Sequence, residues 1–236
     1  ATSTRLFDVY NYQKYSMSAT GTTTSYGPDA DTLAGYLATD SASSGDTPPP
    51  LALTEFNVRT GTNYDARTEN GDSPTDYAAL GAVSVALAER GASQLYLFKF
   101  GMTDRTGTYP VAKNGTHYVD NSTTGVNEYG GSAATAEVYR LFVKASGSSR
   151  ERLSVGSTLG SEVFVQATRE ALGGPVHVFV TNRGATPAVV DLDLSALGIA
   201  DGSLVTVEEV SQTTRGGILR TSALVAGRVA VGTMPA

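Results

Sequence analysis

The hydrophobic pattern of this sequence changes its period at a Gly- and Ser-containing stretch, residues 145–149. Before this stretch, strand-like and helix-like segments alternate, which indicates parallel strands joined by crossover helices. After it, apolar residues recur at every second position in short runs separated by Gly, Asn and Pro turns, a pattern typical of an antiparallel β-sandwich. The change predicts an α/β region over residues 1–147 and an all-β region over residues 148–236.

Local signals give the expected elements. Ser73 is a suitable N-cap, Pro74 fits the first helical position, and Gly91 ends that helix. The expected strands of the α/β region are residues 6–12, 51–57 and 94–100, and its expected helices are residues 29–39, 74–90 and 132–144. The expected strands of the all-β region are residues 163–168, 176–181, 189–194, 204–210 and 229–231.

The number of βα units limits what the first region can be. A (β/α)8 barrel of the TIM type needs eight such units, and the pattern supplies about three. Three parallel strands alone would have two open edges and an exposed apolar face. We therefore expect these to be the last units of a barrel that is completed by an N-terminal half or by a partner chain. We also expect the chain to be processed or part of a longer protein, and to continue beyond Met234-Pro235-Ala236.

Composition excludes several classes of function. The net charge is −6 and the isoelectric point is near 4.9, so no basic stripe is present to bind nucleic acid. Cysteine is absent, and neither a metal-ligand cluster of convincing spacing nor a phosphate-binding Gly motif occurs, so no cofactor or metal is expected. No segment has the length of a membrane span, and the acidic, Gly-, Ser- and Thr-rich composition suits a secreted protein.

Glu55 is the most informative single residue. It lies near the C-terminal end of the apolar run 51–57, which reads as a buried strand. A carboxylate is costly in a core, but it is useful at the mouth of a β/α barrel, where catalytic residues project from strand ends. The local sequence allows two interpretations: a glycosidase carboxylate, or a strand-end Glu paired with a nearby Arg such as Arg59.

A set of fragments in order resembles the sixth to eighth strands of a retaining barrel glycosidase. These fragments are FDVYNY (7–12), LTEFN (53–57), LFKF (97–100), KNGTHY (113–118), NEYGGS (127–132) and AEVYRLF (136–142). The resemblance is to the clan of glycoside hydrolases with two catalytic glutamates, and within it to family 86, the β-agarases and porphyranases. It covers about residues 5–145 and continues in order into the expected sandwich.

The resemblance implies a retaining mechanism in which Glu55 matches the nucleophile and a second Glu is the acid/base. In such families the acid/base Glu comes from the fourth strand, which this chain lacks. The pair Asn127-Glu128 follows the last expected strand and is therefore rejected for that role. The chain alone is then not catalytically complete.

Five other residues are candidates for substrate contact. The resemblance implies that a Tyr of the first strand donates a hydrogen bond to the nucleophile; Tyr12 is preferred over Tyr10, and aromatic packing is the alternative. Asn57 could hold a sugar hydroxyl or only turn the chain. Lys99 would suit a sulfated or carboxylated sugar, or it forms an ordinary ion pair. His117 lies in a long loop, where it could touch substrate or be solvated.

Two classes of function remain. The first is the C-terminal portion of a secreted, agarase-like hydrolase that cleaves a polysaccharide, possibly of the galactan type. The second is a non-catalytic structural or carbohydrate-binding component of an extracellular assembly that keeps the fold. Asn114 and Asn121 begin N-glycosylation sequons, and if the source is a eukaryote and the chain is secreted, both are expected to be surface sites of a glycoprotein.

Overall fold

The structure is a computed structural model that describes residues 9–15, 26–57, 74–97, 119–121, 126–128, 134–147, 150–171, 173–211 and 214–235. Among the helices in these ranges, none is both long enough and apolar enough to cross a membrane.

The first part of the chain forms a parallel sheet with helices between its strands. The elements are β1 (Tyr10–Tyr15), α1 (Tyr26–Ser44), β2 (Leu51–Asn57), α2 (Pro74–Glu89) and β3 (Ala92–Leu97). The three strands lie in the order β1-β2-β3, and both pairs are parallel. The strand that carries Glu55, β2, is therefore the central strand of the sheet.

Helices α1 and α2 pack on the same sheet face. Leu51 and Leu53 of β2 are 5 % and 0 % exposed, and they form one core with Leu80, Val83 and Leu87 of α2. Partly buried side chains of α1 pack against this core as well. Each buried aliphatic side chain contributes about 1.5–3 kcal/mol, so this core fixes β2 under the helices.

A short hairpin and a third helix follow. Strands β4 (Val119–Asn121) and β5 (Val126–Glu128) pair antiparallel, and α3 (Ala134–Ser146) comes next.

The rest of the chain is antiparallel. Its strands are β6 (Glu151–Leu153), β7 (Val163–Arg169), β8 (Val176–Asn182), β9 (Ala188–Asp193), β10 (Leu204–Val210), β11 (Arg215–Ala223) and β12 (Arg228–Met234), with a 3-10 turn at Ser195–Leu197. They pair as β6-β7-β8, β9-β12 and β10-β11. The protein is thus mixed α/β, with the parallel and antiparallel pairing in separate stretches of chain.

A second core joins the helices to the antiparallel sheet. Tyr77 of α2, Val138 and Phe142 of α3, and Phe179 of β8 are all buried within it. The rings of Phe142 and Phe179 meet edge to face, with centroids 5.6 Å apart and planes at 85°, an arrangement that aromatic quadrupoles favour. Helices α2 and α3 therefore contact the sheet that contains β7 and β8.

Side chains from the antiparallel part also bind the last carbonyls of these helices. Arg152 of β6 donates from Nη1 to the carbonyl of Ala88 over 2.8 Å, and the hydroxyl of Thr168 on β7 donates to the carbonyl of Ala145. The carbonyl of Ala88 also accepts from the N–H of Gly91, so Arg152 adds a second bond there. The carbonyl of Ala145 lies in the last turn of α3, where carbonyls have no partner within the helix, so Thr168 satisfies a group that would otherwise need water.

Several elements differ from expectation. The described β1 starts at Tyr10 rather than at residue 6, and β3 starts at Ala92 rather than at residue 94. The β4–β5 hairpin lies in a segment that was expected to be an irregular loop. Strands β6 and β11 were not expected, because β6 has only three residues and β11 contains the pair Gly216-Gly217, which lowers strand propensity.

Candidate active site

The carboxyl ends of the three parallel strands lie along one edge of the sheet, and we call this the carboxyl edge. The last strand residues there are Tyr15, Asn57 and Leu97. Tyr15 and Asn57 are paired across β1 and β2. In parallel βα folds, catalytic and binding residues concentrate at this edge.

Glu55 lies two residues before the end of the central strand and is paired with Gln13 of β1. Two strand residues span about 7 Å, so Glu55 lies close to the C-terminal end of β2. It is therefore placed at the carboxyl edge by the backbone of β2, as expected from the sequence.

The pairing of β2 is irregular immediately before Glu55. On β1, the consecutive residues Tyr12 and Gln13 pair with Leu53 and Glu55, so Thr54 has no partner in that ladder. The ladder with β3 is interrupted in the same place. An extra residue of this kind is a β-bulge, which shifts the alternation of faces beyond it by one. In a regular strand, residues 53 and 55 would lie on the same face of the sheet. Because of the bulge, the backbone at Glu55 instead has the opposite phase, that is, the alternation of faces places positions 53 and 55 on opposite faces.

The two tyrosines proposed for substrate contact do not end their strand. Tyr10 is the first residue of β1 and pairs with Leu51, four residues below Glu55, or about 13 Å along the strand. Its side chain is 38 % exposed at the opposite end of the sheet from the carboxyl edge. Tyr12 pairs with Leu53 in the middle of the strand. The expectation that both tyrosines lie near the strand tip was wrong, because β1 extends to residue 15.

Tyr15 is the aromatic residue that sequence reasoning missed. It is the last residue of β1, and its partner Asn57 lies two positions beyond Glu55. The signal was present in the sequence, since YNYQKY repeats tyrosine at residues 10, 12 and 15. The strand limits were needed to decide which of the three reaches the carboxyl edge.

Of the remaining candidate residues, two lie in described strands and the others lie outside the described residues. Asn57 ends β2 at the carboxyl edge, and Asn121 ends β4 opposite Val126. Lys99, His117 and Asn114 lie outside the described residues, as does Arg59, the ion-pair partner considered for Glu55.

Glu128 does not belong to the parallel sheet: it follows the three parallel strands in the sequence, and its strand does not pair with any of them. It is the last residue of β5 and pairs with Val119 in the β4–β5 hairpin. The hairpin is a separate two-stranded sheet. Its rejection as the acid/base residue stays a prediction.

Among the described residues, three groups have shifted pKa values. Arg140 and Glu208 lie at the contact between α3 and β10, and Asp193 lies on the surface. The pKa of Glu208 is lowered, first because Lys144 donates a hydrogen bond to its carboxylate and then because Arg140 does so. The pKa of Arg140 is raised, chiefly by its 2.6 Å hydrogen bond to Glu137. The exposed carboxyl of Asp193 has a lowered pKa, mainly because the hydroxyl of Ser195 donates to it over 2.6 Å. These pairs are structural, since each charge is neutralised or bonded within the fold.

Among the comparisons with known proteins, only the one with solved structures gives matches. No protein-family model matches the sequence, and no curated protein does. Solved structures do match. A family 30 endoxylanase from Clostridium papyrosolvens C71 aligns with 97 % of this chain and 46 % of its own, at a TM-score of 0.59 and 14 % identity.

Two further structures are similar. A glycoside hydrolase family 30 subfamily 8 xylanase from Clostridium acetobutylicum aligns with 83 % of this chain and 42 % of its own, at a TM-score of 0.54 and 14 % identity. A β-porphyranase of glycoside hydrolase family 86 from the human gut bacterium Bacteroides plebeius aligns with 97 % of this chain and 38 % of its own, at a TM-score of 0.53 and 15 % identity. The chain spans less than half the length of each of these structures.

At these identities the likeness concerns the fold, and it does not single out family 86. Over the part of those structures that it spans, the chain has a fold like that of these three glycoside hydrolases.

Proposed function

We propose that this chain is the C-terminal portion of a secreted, retaining glycoside hydrolase that cleaves a polysaccharide, with Glu55 as its nucleophile. In this proposal the parallel βα units are the last units of a (β/α)8 barrel and the antiparallel strands form a β-sandwich. The remaining barrel units, including the acid/base Glu, are supplied by sequence outside this chain or by a partner chain.

The observation that carries the proposal is the backbone position of Glu55. It lies on the central strand of a parallel sheet, near the carboxyl edge, directly after a β-bulge. Bulges recur at barrel rims and beside active sites, where they redirect a side chain. Without the extra residue, position 55 would keep the phase of Leu51 and Leu53, which are buried under the helices. The bulge thus gives the backbone at position 55 the phase opposite to that of these buried leucines.

The chemistry assigns one carboxylate to each step. Glu55 attacks the anomeric carbon and forms a covalent glycosyl-enzyme, while the second Glu protonates the leaving oxygen. Water then attacks the intermediate, and the second Glu takes its proton. Retaining enzymes hold these carboxyl groups about 5–5.5 Å apart. Tyr15, which ends the neighbouring strand β1, and Asn57, which ends β2 itself, are the proposed partners of the nucleophile and of substrate hydroxyls.

The substrate class has two candidates. The sequence fragments favour a galactan-type polysaccharide through their resemblance to agarases and porphyranases. Two of the structural neighbours are xylanases and one is a porphyranase, so xylan is the competing class. A panel of agarose, porphyran and glucuronoxylan separates them.

The decisive experiment uses the full-length gene product that contains this chain. We expect the wild type to hydrolyse one polysaccharide of the panel with retention of anomeric configuration, read by NMR of the first product. Glu55→Gln removes the attacking charge and keeps the shape, so hydrolysis should fall by at least about a thousandfold. Glu55→Ala should recover turnover of an activated glycoside with azide, giving a glycosyl azide of inverted configuration.

The matched control is Glu128→Gln, which makes the same change in the β4–β5 hairpin. Its activity should stay within about threefold of the wild type. Equal turnover in wild type and Glu55→Gln would remove Glu55 from the mechanism. Absence of turnover by the wild type on a broad glycan panel would favour the non-catalytic, carbohydrate-binding alternative, which pull-down on the insoluble polysaccharides would then test.

A further inference from the structure

A cavity of approximately 1370 Å³ lies between the antiparallel strands and helices α2 and α3. Its walls come from both helices, from the end of β7, from β8 to β12 and from the segment around the 3-10 turn. Aliphatic side chains make up much of the lining, among them Val180, Leu192, Val205, Val207, Leu224 and Val231. Small-molecule sites commonly have volumes of about 300–1,000 Å³, so this space is large enough for an organic ligand.

Two arginines line this cavity, whose walls are partly apolar and partly polar. Arg169, the last residue of β7, is only 9 % exposed. Its Nη2 donates to the carbonyl of Leu197 over 3.0 Å, and its buried Nε has no partner. Arg220 of β11 also lines the cavity, and both its Nε and its Nη2 are buried without a partner.

Glycine at position 232 makes room for the Arg220 guanidinium. A Cβ added at Gly232 of β12 would lie 2.8 Å from Nη2 of Arg220, which is closer than real contacts allow. The φ of Gly232 is +101°, a conformation that other residues rarely adopt. The pairing of β12 with β9 is irregular at the same point, between Ala230 and Gly232.

The other cations of the lining are already paired. Lys144 binds Glu208, and Arg183 binds Glu162 over 2.9 Å. Within the part of the chain that the structure describes, neither Arg169 nor Arg220 has a carboxylate within 4.0 Å, although Glu209 contributes to the same wall. A buried guanidinium with unbonded N–H groups is costly, and an anion that accepts from those groups would offset the cost.

We propose that this cavity binds an amphiphilic anion, with its carboxylate or sulfate head group held by Arg220 and its apolar body along the aliphatic walls, while Arg169 adds positive charge to the same lining. A guanidinium presents a planar pair of donors that matches two oxygens of either head group. An acidic sugar fits less well, because much of its polar surface would face the aliphatic part of the walls. The proposal is independent of the role of Glu55.

Titration calorimetry on the intact chain tests the proposal with three probes. Octanoate carries both the head group and the apolar body, octanol carries the body alone, and glucuronate carries the carboxylate on a sugar. We expect saturable binding of octanoate, at least tenfold weaker binding of octanol, and no measurable binding of glucuronate at the same concentrations. Octyl sulfate should bind as octanoate does, because Arg accepts either head group.

The test variant is Arg220→Met, which keeps the apolar stem and removes the charged head. It should weaken octanoate binding at least tenfold and leave octanol binding unchanged. The matched control is Arg228→Met on β12, whose side chain is 73 % exposed, pairs with Asp193 and does not line the cavity. It should bind octanoate within twofold of the wild type.

Folding of each variant is checked by circular dichroism, and Arg220→Lys provides a second test that keeps the charge. Binding by Arg220→Lys should fall between that of the wild type and that of Arg220→Met. Octanoate binding that is unchanged in Arg220→Met, or equal binding of octanol and octanoate, would overturn the role of the arginines. Tighter binding of glucuronate than of octanoate would overturn the amphiphilic ligand.

Discussion

The hydroxyl of Thr181 on β8 donates a hydrogen bond to the backbone carbonyl of Ala78 on α2, over 3.2 Å and 103 residues of sequence. Both groups are buried. The bond joins a helix of the parallel part directly to a strand of the antiparallel part.

Gly81 sets how closely α2 approaches β8. An added Cβ would lie 3.0 Å from Oγ1 of Thr181 and 3.3 Å from Cζ of Phe179. Gly81→Val should therefore lower the free energy of unfolding by about 1–3 kcal/mol through overpacking. Urea unfolding followed by circular dichroism measures the change.

The control for this substitution is Gly35→Ala in α1. A Cβ there has nothing within 4 Å. It should raise the free energy of unfolding by up to about 1 kcal/mol, because Ala is the better helix former. A stabilising effect of Gly81→Val would show that α2 and β8 are farther apart than the structure has them.

The buried hydroxyl of Thr181 can be removed with little change in shape. Thr181→Val should lower the free energy of unfolding by about 1 kcal/mol, because a buried hydrogen bond between the two parts is lost. Thr39→Val is the matched control, since the Thr39 hydroxyl bonds the carbonyl of Gly35 at an exposed position. Its effect should stay within about 0.5 kcal/mol, and equal effects of the two variants would contradict the prediction.

Glu208 should make stability depend on pH in the acid range. Its pKa is lowered from 4.5, first by the hydrogen bond from Lys144, so the folded protein takes up this proton only at a lower pH than the unfolded chain. The stabilisation is fully present above the unfolded value and is lost as the pH falls through the folded value. The groups that face Glu208 in the described structure are Lys144 and Arg140, and Arg140 also binds Glu137.

The measurement is urea unfolding of wild type and Glu208→Gln at pH 7 and pH 3. The difference between the two proteins should be larger at pH 7. In a Lys144→Met background the same difference should shrink, because the main cause of the pKa shift has been removed. A difference that does not change with pH would exclude Glu208 as a source of acid sensitivity.

In the turn at Ala226-Gly227, one substitution should raise the free energy of unfolding and another should lower it. Both residues have positive φ, 49° and 72°, and Val225 and Arg228 exchange backbone hydrogen bonds around them. Two-residue turns of this kind prefer Asn-Gly, so Ala226→Asn should stabilise the protein by up to about 1 kcal/mol. Gly227→Ala should destabilise it by more than about 1 kcal/mol, since its Cβ would lie 2.7 Å from Cα of Ser195. Thermal unfolding of both variants checks the opposite signs.

The sequence predicted the parallel βα order because that order depends on local patterns. Pro74 at the start of α2 and the apolar run of β2 are visible without knowing any partner strand. The limits of β1 were not predictable in this way, since Asn11, Gln13 and Lys14 interrupt the apolar pattern and the pairing with β2 decides where the strand ends.

The candidate site was predictable in part for a similar reason. Glu55 stands out because a carboxylate follows a buried run, and its position at the carboxyl edge follows from the strand alone. The bulge at Thr54 arises from a mismatch between neighbouring strands and leaves no mark in a single sequence. The choice of Tyr15 over Tyr12 depends on the same register, so it too required the structure.

The side chains that bond carbonyls of α2 and α3 have a consequence for how the chain is made. Arg152, Thr168 and Thr181 all follow both helices in the sequence, so these bonds form only after the downstream strands have left the ribosome. Until then the carbonyl of Ala145 must bond water, and the faces of the helices that later contact β7 and β8 remain uncovered. A nascent chain that has released the helices but not β7 and β8 would therefore present apolar helix faces to chaperones.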